Sequence, residues 1–322
     1  MARTGLSRFG QQLLPVLYQH RLLATGQLHR LLTPHTARPV YLLRQLGQLR
    51  ELGLAESTDR RTSRMGRCEQ LWYITPLGCE VVEAGGEIQP RAYRITPKAA
   101  ASPLQEHTLA VGDTGIAFCE WARRYGDDCG PLDWEPELAH RVRDGDSRLG
   151  DDAFLVPDAV LRYTREQDGR RQMMTFFLEI DRATMEVARL GRKLSTYARY
   201  GTYIPQPPGR RHRTGTREAW RERYPAFPRL LIVLSGASDA VLERRVDDLR
   251  ALAAADSRIT AGGHLRAGVT TVGLLAEHGP FAPVVTPVLG DPKPTDVRLD
   301  AMSEVPPVDE SERRPIADES TF

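Results

Sequence analysis

Between residues 103 and 234 the hydrophobic period of the chain switches from helical to alternating and back to helical, and that order leaves few folds open. An amphipathic run from Pro103 to Tyr125 predicts a long helix that buries Leu104, Leu109, Val111, Ile116, Phe118 and Trp121. Three strand-like segments follow, Leu132 to Val142, Phe154 to Tyr163 and Met173 to Ile180. A second helix is expected over Met185 to Tyr200, and then an apolar strand from Leu230 to Leu234. The order αβββαβ requires helices laid on a sheet, an α/β unit within a chain that is α+β as a whole. A helix from Asp239 to Ala254 and a strand from Val269 to Leu275 would extend that sheet.

Carboxylates interrupt the apolar strands. Asp158 follows Pro157 inside the second strand, and Glu179 and Asp181 flank Ile180 at the end of the third. The two-residue period of a strand sends Glu179 and Asp181 to one face. Neighbouring strands lie about 5 Å apart, close enough for Asp158 and Glu179 to share one hard cation such as Mg²⁺. Without a cation or a basic partner the acids would repel one another. The competing reading is structural: Asp158 caps a turn, and Glu179, Asp181 and Arg182 pair with Arg189 or Arg192.

The first 85 residues obey a different pattern. Leu13, Leu14, Leu17 and Tyr18 predict a helix from Phe9 to Leu23, and a second should run from Thr25 to Leu32 with Thr25 as cap. A third is expected from Pro39 to Leu52 with Leu42, Leu43, Leu46 and Leu49 inward. Its other stripe, Tyr41, Arg44, Gln45 and Gln48, carries side chains able to reach bases or phosphates in a major groove. Gly53 ends that helix, and strands over Leu54 to Thr58 and Glu69 to Thr75 bracket a loop bearing Arg60, Arg61, Arg64 and Arg67. Thr75 and Pro76 start a short helix to Ala84. This succession, with the stretch LRELGL from Leu49 to Leu54, resembles a winged helix-turn-helix domain, which implies that the stripe and the arginine loop meet DNA. A winged helix used for protein contact, or a helical cap with a solvated basic loop, would share the pattern.

At 322 residues the chain is long enough for two cores. We divide it into a winged-helix domain at 1–86, a proline-bearing linker at 87–102, the α/β domain at 103–290 and an acidic, proline-rich tail at 291–322 that is expected to be disordered. The net charge of +2 hides an asymmetry. Nine acidic against four basic residues after residue 290 put −5 there and leave +7 on residues 1–290. Of 44 basic residues only Lys98, Lys193 and Lys293 are lysines, and a surplus of guanidinium suits phosphate contact as well as surface ion pairs. A basic insertion from Gly209 to Arg223 contains Arg210, Arg211, Arg213 and Arg217 with Trp220 behind them; it could grip a backbone and stack on a base, or be a solvated loop. Two weaker candidates for the carboxylate site are Glu106–His107 on the long helix, otherwise a cap or surface pair, and Glu135 and Glu137 beside Trp134, otherwise the polar side of a half-exposed strand.

Several classes are excluded by what is missing. No run approaches the roughly 18 apolar residues of a membrane span, and no secretory leader pattern opens the chain, so a cytoplasmic protein with no membrane partner is expected. Cys68, Cys79, Cys119 and Cys129 form no metal-site or disulfide spacing. There is no phosphate-binding GxxxxGK[ST] loop, which argues against a nucleotide cofactor, and no organic cofactor is expected.

The αβββαβ order with Pro157, Asp158 and Glu179 resembles the PD-(D/E)xK nuclease superfamily, and implies a restriction-endonuclease-like core. Asp181 stands where that pattern has lysine. In some members the lysine comes from elsewhere, which points to Lys193 on the following helix, with Arg182 as second choice. On this resemblance Asp158 and Glu179 hold Mg²⁺, Asp181 is a third ligand or a base, and Lys193 positions the attacking water. More specifically, FFLEIDRATM from Phe176 to Met185, KLSTYARY from Lys193 to Tyr200 and the preceding VPDAVL resemble the replication-relaxation family of plasmid and mobile-element proteins. That resemblance implies double-stranded plasmid or mobile-element DNA as partner, with replication or conjugation proteins and a homodimer among the expected assemblies. The paired-histidine metal motif of usual relaxases is absent, and Tyr197, Tyr200 and Tyr203 read as packing residues rather than nucleophiles. Two functions remain open: Mg²⁺-dependent DNA cleavage at a degenerate site, or a non-enzymatic replication or transcription regulator built on an inactive nuclease-like scaffold.

Overall fold

Helix α1 (Arg8–His20) starts where the Ser7 hydroxyl accepts the Gly10 amide at 3.0 Å, and its inward stripe of Leu13, Leu14 and Leu17 is buried. The computed structural model describes residues 5–61, 68–86, 88, 90, 95–102, 104–145, 153–206, 217–261 and 263–299, with 61 and 68 described in backbone only. After α1 come β1 (Leu23–Ala24), α2 (Thr25–Leu32), α3 (Val40–Glu51), β2 (Ala55–Arg61), β3 (Cys68–Ile74) and α4 (Pro76–Ala84). The three strands form an antiparallel sheet in the order β1-β3-β2. Thr75 caps α4, its hydroxyl accepting from the Gly78 amide at 3.1 Å.

Several details of this first unit depart from the sequence expectation: Arg60 and Arg61 pair with Glu69 and Cys68 in the hairpin instead of lying in its loop, and Ala24, not Thr25, holds the cap position of α2. The end of the anticipated first helix is strand β1, because Leu23 and Ala24 pair with Trp72 and Leu71 across the sheet. On α3, Leu43 is exposed and Gln45 is buried, so the inner face is Leu42, Gln45, Leu46 and Leu49. That set keeps the i, i+3, i+4, i+7 spacing of a single helix face, which an amide can join when it finds a partner.

The second unit contains α5 (Pro97–Ala100), α6 (Gln105–Tyr125), β4 (Trp134–Pro136), β5 (His140–Arg141), β6 (Phe154–Leu155), β7 (Ala159–Gln167), β8 (Arg170–Asp181), α7 (Val187–Thr202), a 3₁₀ turn at Ala219–Glu222, β9 (Arg229–Leu234), α8 (Asp239–Ala255), α9 (Ser257–Thr260), β10 (Ala267–Thr271), α10 (Val272–His278) and β11 (Thr286–Pro287). A six-stranded mixed sheet runs β11-β10-β9-β8-β7-β4, parallel between β8, β9 and β10 and antiparallel elsewhere. Alternate residues of β8 serve opposite layers. Phe176, Leu178 and Ile180 join the core that includes Ile116 and Phe118 of α6 and Leu275 of α10, whereas Phe177 faces Leu194 and Tyr197 of α7 and Leu242 and Leu249 of α8. The overall class is therefore mixed α and β, with the helices on both faces of the larger sheet.

The segment Leu132 to Val142 gives only the short strands β4 and β5, separated at Glu137, whose φ is +54°. Val269 to Leu275 divides at Thr271, where the hydroxyl accepts the Leu274 amide at 3.1 Å and begins α10. Leu104, expected inside, is 71% exposed. Packing also continues past residue 290: Thr295 bridges Val285 and Val297 is fully buried, while residues 300–322 lie outside the described residues.

The two units share one core. Residues of α1, α2 and α3 lie in the same buried cluster as α6, β7 and β8. The Gln19 side-chain amide donates to the carbonyls of Leu132 and Trp134 at 2.7 and 2.8 Å, and the His20 ring stacks on Trp134 with centroids 4.1 Å apart. Gln27 donates to the Leu109 carbonyl at 2.8 Å. A Cβ on Gly115 would stand 2.5 Å from the Trp134 ring, so the α6 glycine is what lets this indole seat between the units.

Candidate functional site

The antiparallel register that pairs Ala159 with Leu178 sets Asp158, one step before β7, opposite Glu179. Like charges facing one another across a sheet are destabilising unless a cation lies between them. Here the cation is Lys193, the seventh of the 16 residues of α7, whose ammonium donates to Glu179 Oε2 and lies 3.9 Å from Asp158 Oδ1. The remaining acceptors are also engaged. The Tyr197 hydroxyl, one helical turn after Lys193, donates to Glu179 Oε1 at 2.6 Å, and the Ile180 amide donates to Asp158 Oδ2 at 2.7 Å. His107 Nε2, in the first turn of α6, lies 3.2 Å from Asp158 Oδ1.

Burial and these partners move the two carboxyls in opposite directions. Burial, helped by the facing Asp158 charge, pushes Glu179 up to about 7 against the pull of Lys193 and Tyr197. Burial would also raise Asp158, but the His107 hydrogen bond and the Lys193 charge outweigh it and hold that carboxyl below its ordinary value. Reciprocally, hydrogen bonding to Asp158 raises His107. On Lys193, burial works to lower the ammonium and is overcome by Glu179 and Asp158, so its net direction is upward.

The constellation borders an open cleft of about 1230 Å³, counting the solvent at its mouth, with His107, Arg182, Arg189 and Lys193 among its lining residues. Asp181 lies on the same strand face as Glu179 and also borders the cleft, as the two-residue period predicts. Its carboxylate nevertheless belongs to a different pairing. Arg245 of α8 donates from Nε to Asp181 Oδ2 and from Nη2 to the Met185 carbonyl, and the Ala183 amide donates to Oδ1 at 3.0 Å. Among the described residues no group of three or more His, Cys, Asp or Glu side chains is arranged to hold a metal ion, so a three-carboxylate site of Asp158, Glu179 and Asp181 is not formed. The pairing of Glu179 and Asp181 with Arg189 or Arg192 is not seen either; their partners are Lys193, Tyr197 and Arg245.

The residues expected to meet DNA divide. Tyr41, Arg44 and Gln48 are exposed on α3, with the Arg44 guanidinium 5.0 Å from the centre of the Tyr41 ring and that ring 5.3 Å from Phe9. Gln45 does not share their surface. It is 5% exposed and its Oε1 accepts the Ser7 hydroxyl, so the residue closes the base of α1 instead of facing solvent. Arg60, at the end of the hairpin strand, donates to Glu106 of α6 at 2.6 Å. The side chain of Arg61, and Arg64, Arg67, Arg210, Arg211 and Arg213, lie outside the described residues. Trp220 is buried and donates to the Gly201 carbonyl at 3.1 Å, which removes it as a base-stacking platform. Tyr200 is buried and Tyr203 donates to Asp144 at 2.7 Å, whereas Tyr197, expected only to pack, is the buried donor to Glu179 Oε1.

Sequence reasoning gave His107 too little weight and had no means of finding Arg245, which reaches Asp181 from 64 residues away in sequence. Glu135 and Glu137 contribute no acid to the constellation; each faces an arginine, Arg162 at 3.7 Å and Arg21 at 2.8 Å.

A family model described as Replication-relaxation matches residues 14–215, a span that runs from within α1 past the end of α7 and takes in every member of the Asp158–Glu179–Lys193 group. No curated protein and no solved structure is similar enough to count as a match. No helix among the described residues is long and apolar enough to cross a membrane.

Proposed function

The chain belongs to the replication-relaxation family, and from that premise we propose that it serves plasmid or mobile-element replication or relaxation by binding double-stranded DNA. In this reading the first unit is a winged helix, with α3 as the helix offered to the major groove and β2–β3 as the wing. The second unit is a PD-(D/E)xK nuclease-like core with Asp158, Glu179 and Lys193 as a phosphodiester-facing site.

The observation that carries the proposal is the convergence of two opposed carboxylates and one of the chain's three lysines on a cleft that arginines line. Mg²⁺ commonly takes only one or two carboxylates and completes its shell with water and phosphate oxygens, so Asp158 and Glu179 are a sufficient set of hard donors. The Lys193 ammonium shared by Asp158 Oδ1 and Glu179 Oε2 marks where these two residues tolerate positive charge. Bound by them, the ion would polarise a phosphate and lower the pKa of a coordinated water. Lys193 then serves to hold that water or a phosphate oxygen, and His107 keeps the Asp158 carboxylate oriented and ionised. Asp181 is left out of this assignment because Arg245 already holds it.

A second reading rests on the fact that the four oxygens of Asp158 and Glu179 already have partners within the chain. A closed network of this kind suits a scaffold that binds DNA without cutting it. Incubation of supercoiled plasmid with the protein and Mg²⁺ or Mn²⁺ separates the two. Cleavage predicts metal-dependent nicked circles that vanish in Asp158→Asn and Lys193→Met while DNA binding persists; binding with no nicking in the wild type leaves the regulator.

A further inference from the structure

Arg60 and Arg182 come from different units and converge on one carboxylate oxygen. Arg60 Nη2, at the end of β2, lies 2.6 Å from Glu106 Oε2, and Arg182 Nη2, just after β8, lies 3.7 Å from the same atom. Among the described residues neither arginine has a second ion-pair partner nearer than 3.8 Å. The cross-strand Glu69 is 3.8 Å from Arg60 Nη1, and the Arg182 backbone follows Asp181 at the rim of the cleft. The side chains are 25%, 28% and 36% exposed for Arg60, Arg182 and Glu106, so solvent and ligands reach all three.

One carboxylate oxygen set between two guanidinium groups from separate elements, at 2.6 and 3.7 Å, stands where a phosphodiester oxygen, with the same single negative charge, would sit. Gln19, His20 and Gln27 of the first unit bond or stack onto Leu109, Trp134 and their neighbours, which joins the unit that carries the hairpin to the helix and strand beside the cleft. Glu106 is adjacent in sequence to His107, whose ring is on Asp158, so the clamp abuts the carboxylate site.

We propose that Arg60 and Arg182 form a clamp for one backbone phosphate of the bound nucleic acid, and that Glu106 is a built-in competitor which this phosphate displaces. The inference rests on the reading of the protein as DNA-binding and adds the element that joins wing and cleft on one DNA molecule. Hairpin and cleft thereby engage neighbouring phosphates of a single duplex, and the site acted upon lies beside the site recognised. Glu106 weakens binding to any DNA and leaves sequence preference unaltered, since a phosphate contact carries no base information.

The test is a double-mutant cycle on binding of a labelled duplex of mixed sequence, read by fluorescence anisotropy over a salt series. Glu106→Gln is expected to tighten binding roughly threefold, the scale on which an exposed ion pair competes. Arg182→Ala is expected to weaken it and to reduce the slope of log affinity against log salt by about one. The gain from Glu106→Gln should disappear in the Arg182→Ala background. A gain that persists there reflects only the removal of one negative charge from the field and overturns the clamp, as does a Glu106→Gln protein, folded by circular dichroism, that binds no tighter than wild type. Absence of binding by the wild type at low salt would overturn the clamp and the DNA-binding reading together.

Discussion

The Tyr197 hydroxyl donates to Glu179 Oε1 at 2.6 Å from one turn beyond Lys193, so a single helix face delivers both partners of a carboxylate that is 3% exposed. Holding Glu179 inside the sheet depends on that face. Removing an ammonium from a buried pair costs about 3–5 kcal/mol, because a charge is left without compensation. Lys193 is one third exposed and Glu179 titrates near 7, so Lys193→Met should cost about 1–2 kcal/mol at pH 8, where Glu179 is ionised, and less toward pH 6, where the carboxyl takes up a proton. Chemical denaturation checks this, and the double variant Lys193→Met/Glu179→Gln should recover most of the loss. If the single and double variants are equally unstable, the pair is not what holds α7 on the sheet.

Gln45 and Gln48 were one stripe in sequence and are two environments in the fold. Gln45→Ala leaves the Ser7 hydroxyl without its acceptor in a part-buried position and should cost about 1–2 kcal/mol of stability. Gln48→Ala and Arg44→Ala change exposed groups, so their melting curves should match wild type while their DNA preference or affinity shifts. A destabilised Gln48→Ala with an unaffected Gln45→Ala would reverse the orientation of α3.

The legible parts of the fold are those in which the sequence period alone determines the face. The alternation through Phe176 to Asp181 set Glu179 and Asp181 on one side; Asp158, expected inside the second strand, stands one residue ahead of β7, and the pairing of Ala159 with Leu178 puts it opposite Glu179. What the period could not supply was the partner. Asp181 binds Arg245 of α8, 64 residues on, a tertiary fact with no local trace. Likewise Gln19 and His20 look like the polar side of an amphipathic helix, yet they are buried against carbonyls more than a hundred residues away. The fusion of the two units into one core was hidden for the same reason: polar residues that bond across a domain boundary resemble surface residues until the acceptor is known.

Gly115 predicts a second consequence of that fusion. A methyl group there meets the Trp134 indole at 2.5 Å, and both the indole and the backbone around it are fixed by Gln19 and His20. Overpacking of this kind costs about 1–3 kcal/mol, so Gly115→Ala should lower the melting temperature and expose Trp134 to fluorescence quenchers. An unchanged melting temperature and quenching profile would mean that the two units are less tightly joined than this contact implies.

His140 gives the acid side of the stability curve. It is buried among Phe177, Tyr200 and Tyr224, and burial, reinforced by the Arg223 charge, lowers it to about 4. A depressed histidine stays neutral in the fold while the unfolded chain takes a proton near 6.5, so its stability contribution is complete above 6.5 and is lost as pH falls toward 4. The loss should reach about 3 kcal/mol, and His140→Gln should flatten the curve in that window. Equal slopes for both proteins between pH 6.5 and 4 would show that the ring is protonated in the folded state.

Glu179 titrates in the opposite sense and at a different readout. With its carboxyl near 7, a large fraction is protonated at pH 6 and nearly all is ionised at pH 8. A protonated carboxyl donates one proton and offers no full negative charge to a cation, so Mn²⁺ affinity should rise with pH through about 7 and level off above it. Asp158, held below its ordinary value, stays ionised throughout and contributes no slope there. Calorimetric titration of Mn²⁺ at several pH values measures the curve. Glu179→Gln should bind weakly with a flat profile, and Tyr197→Phe, which removes a donor to the ionised form, should move the wild-type midpoint upward. A midpoint near the ordinary carboxylate value would mean that the Glu179 carboxylate is hydrated, and that the pocket opens far enough for water to reach both strands.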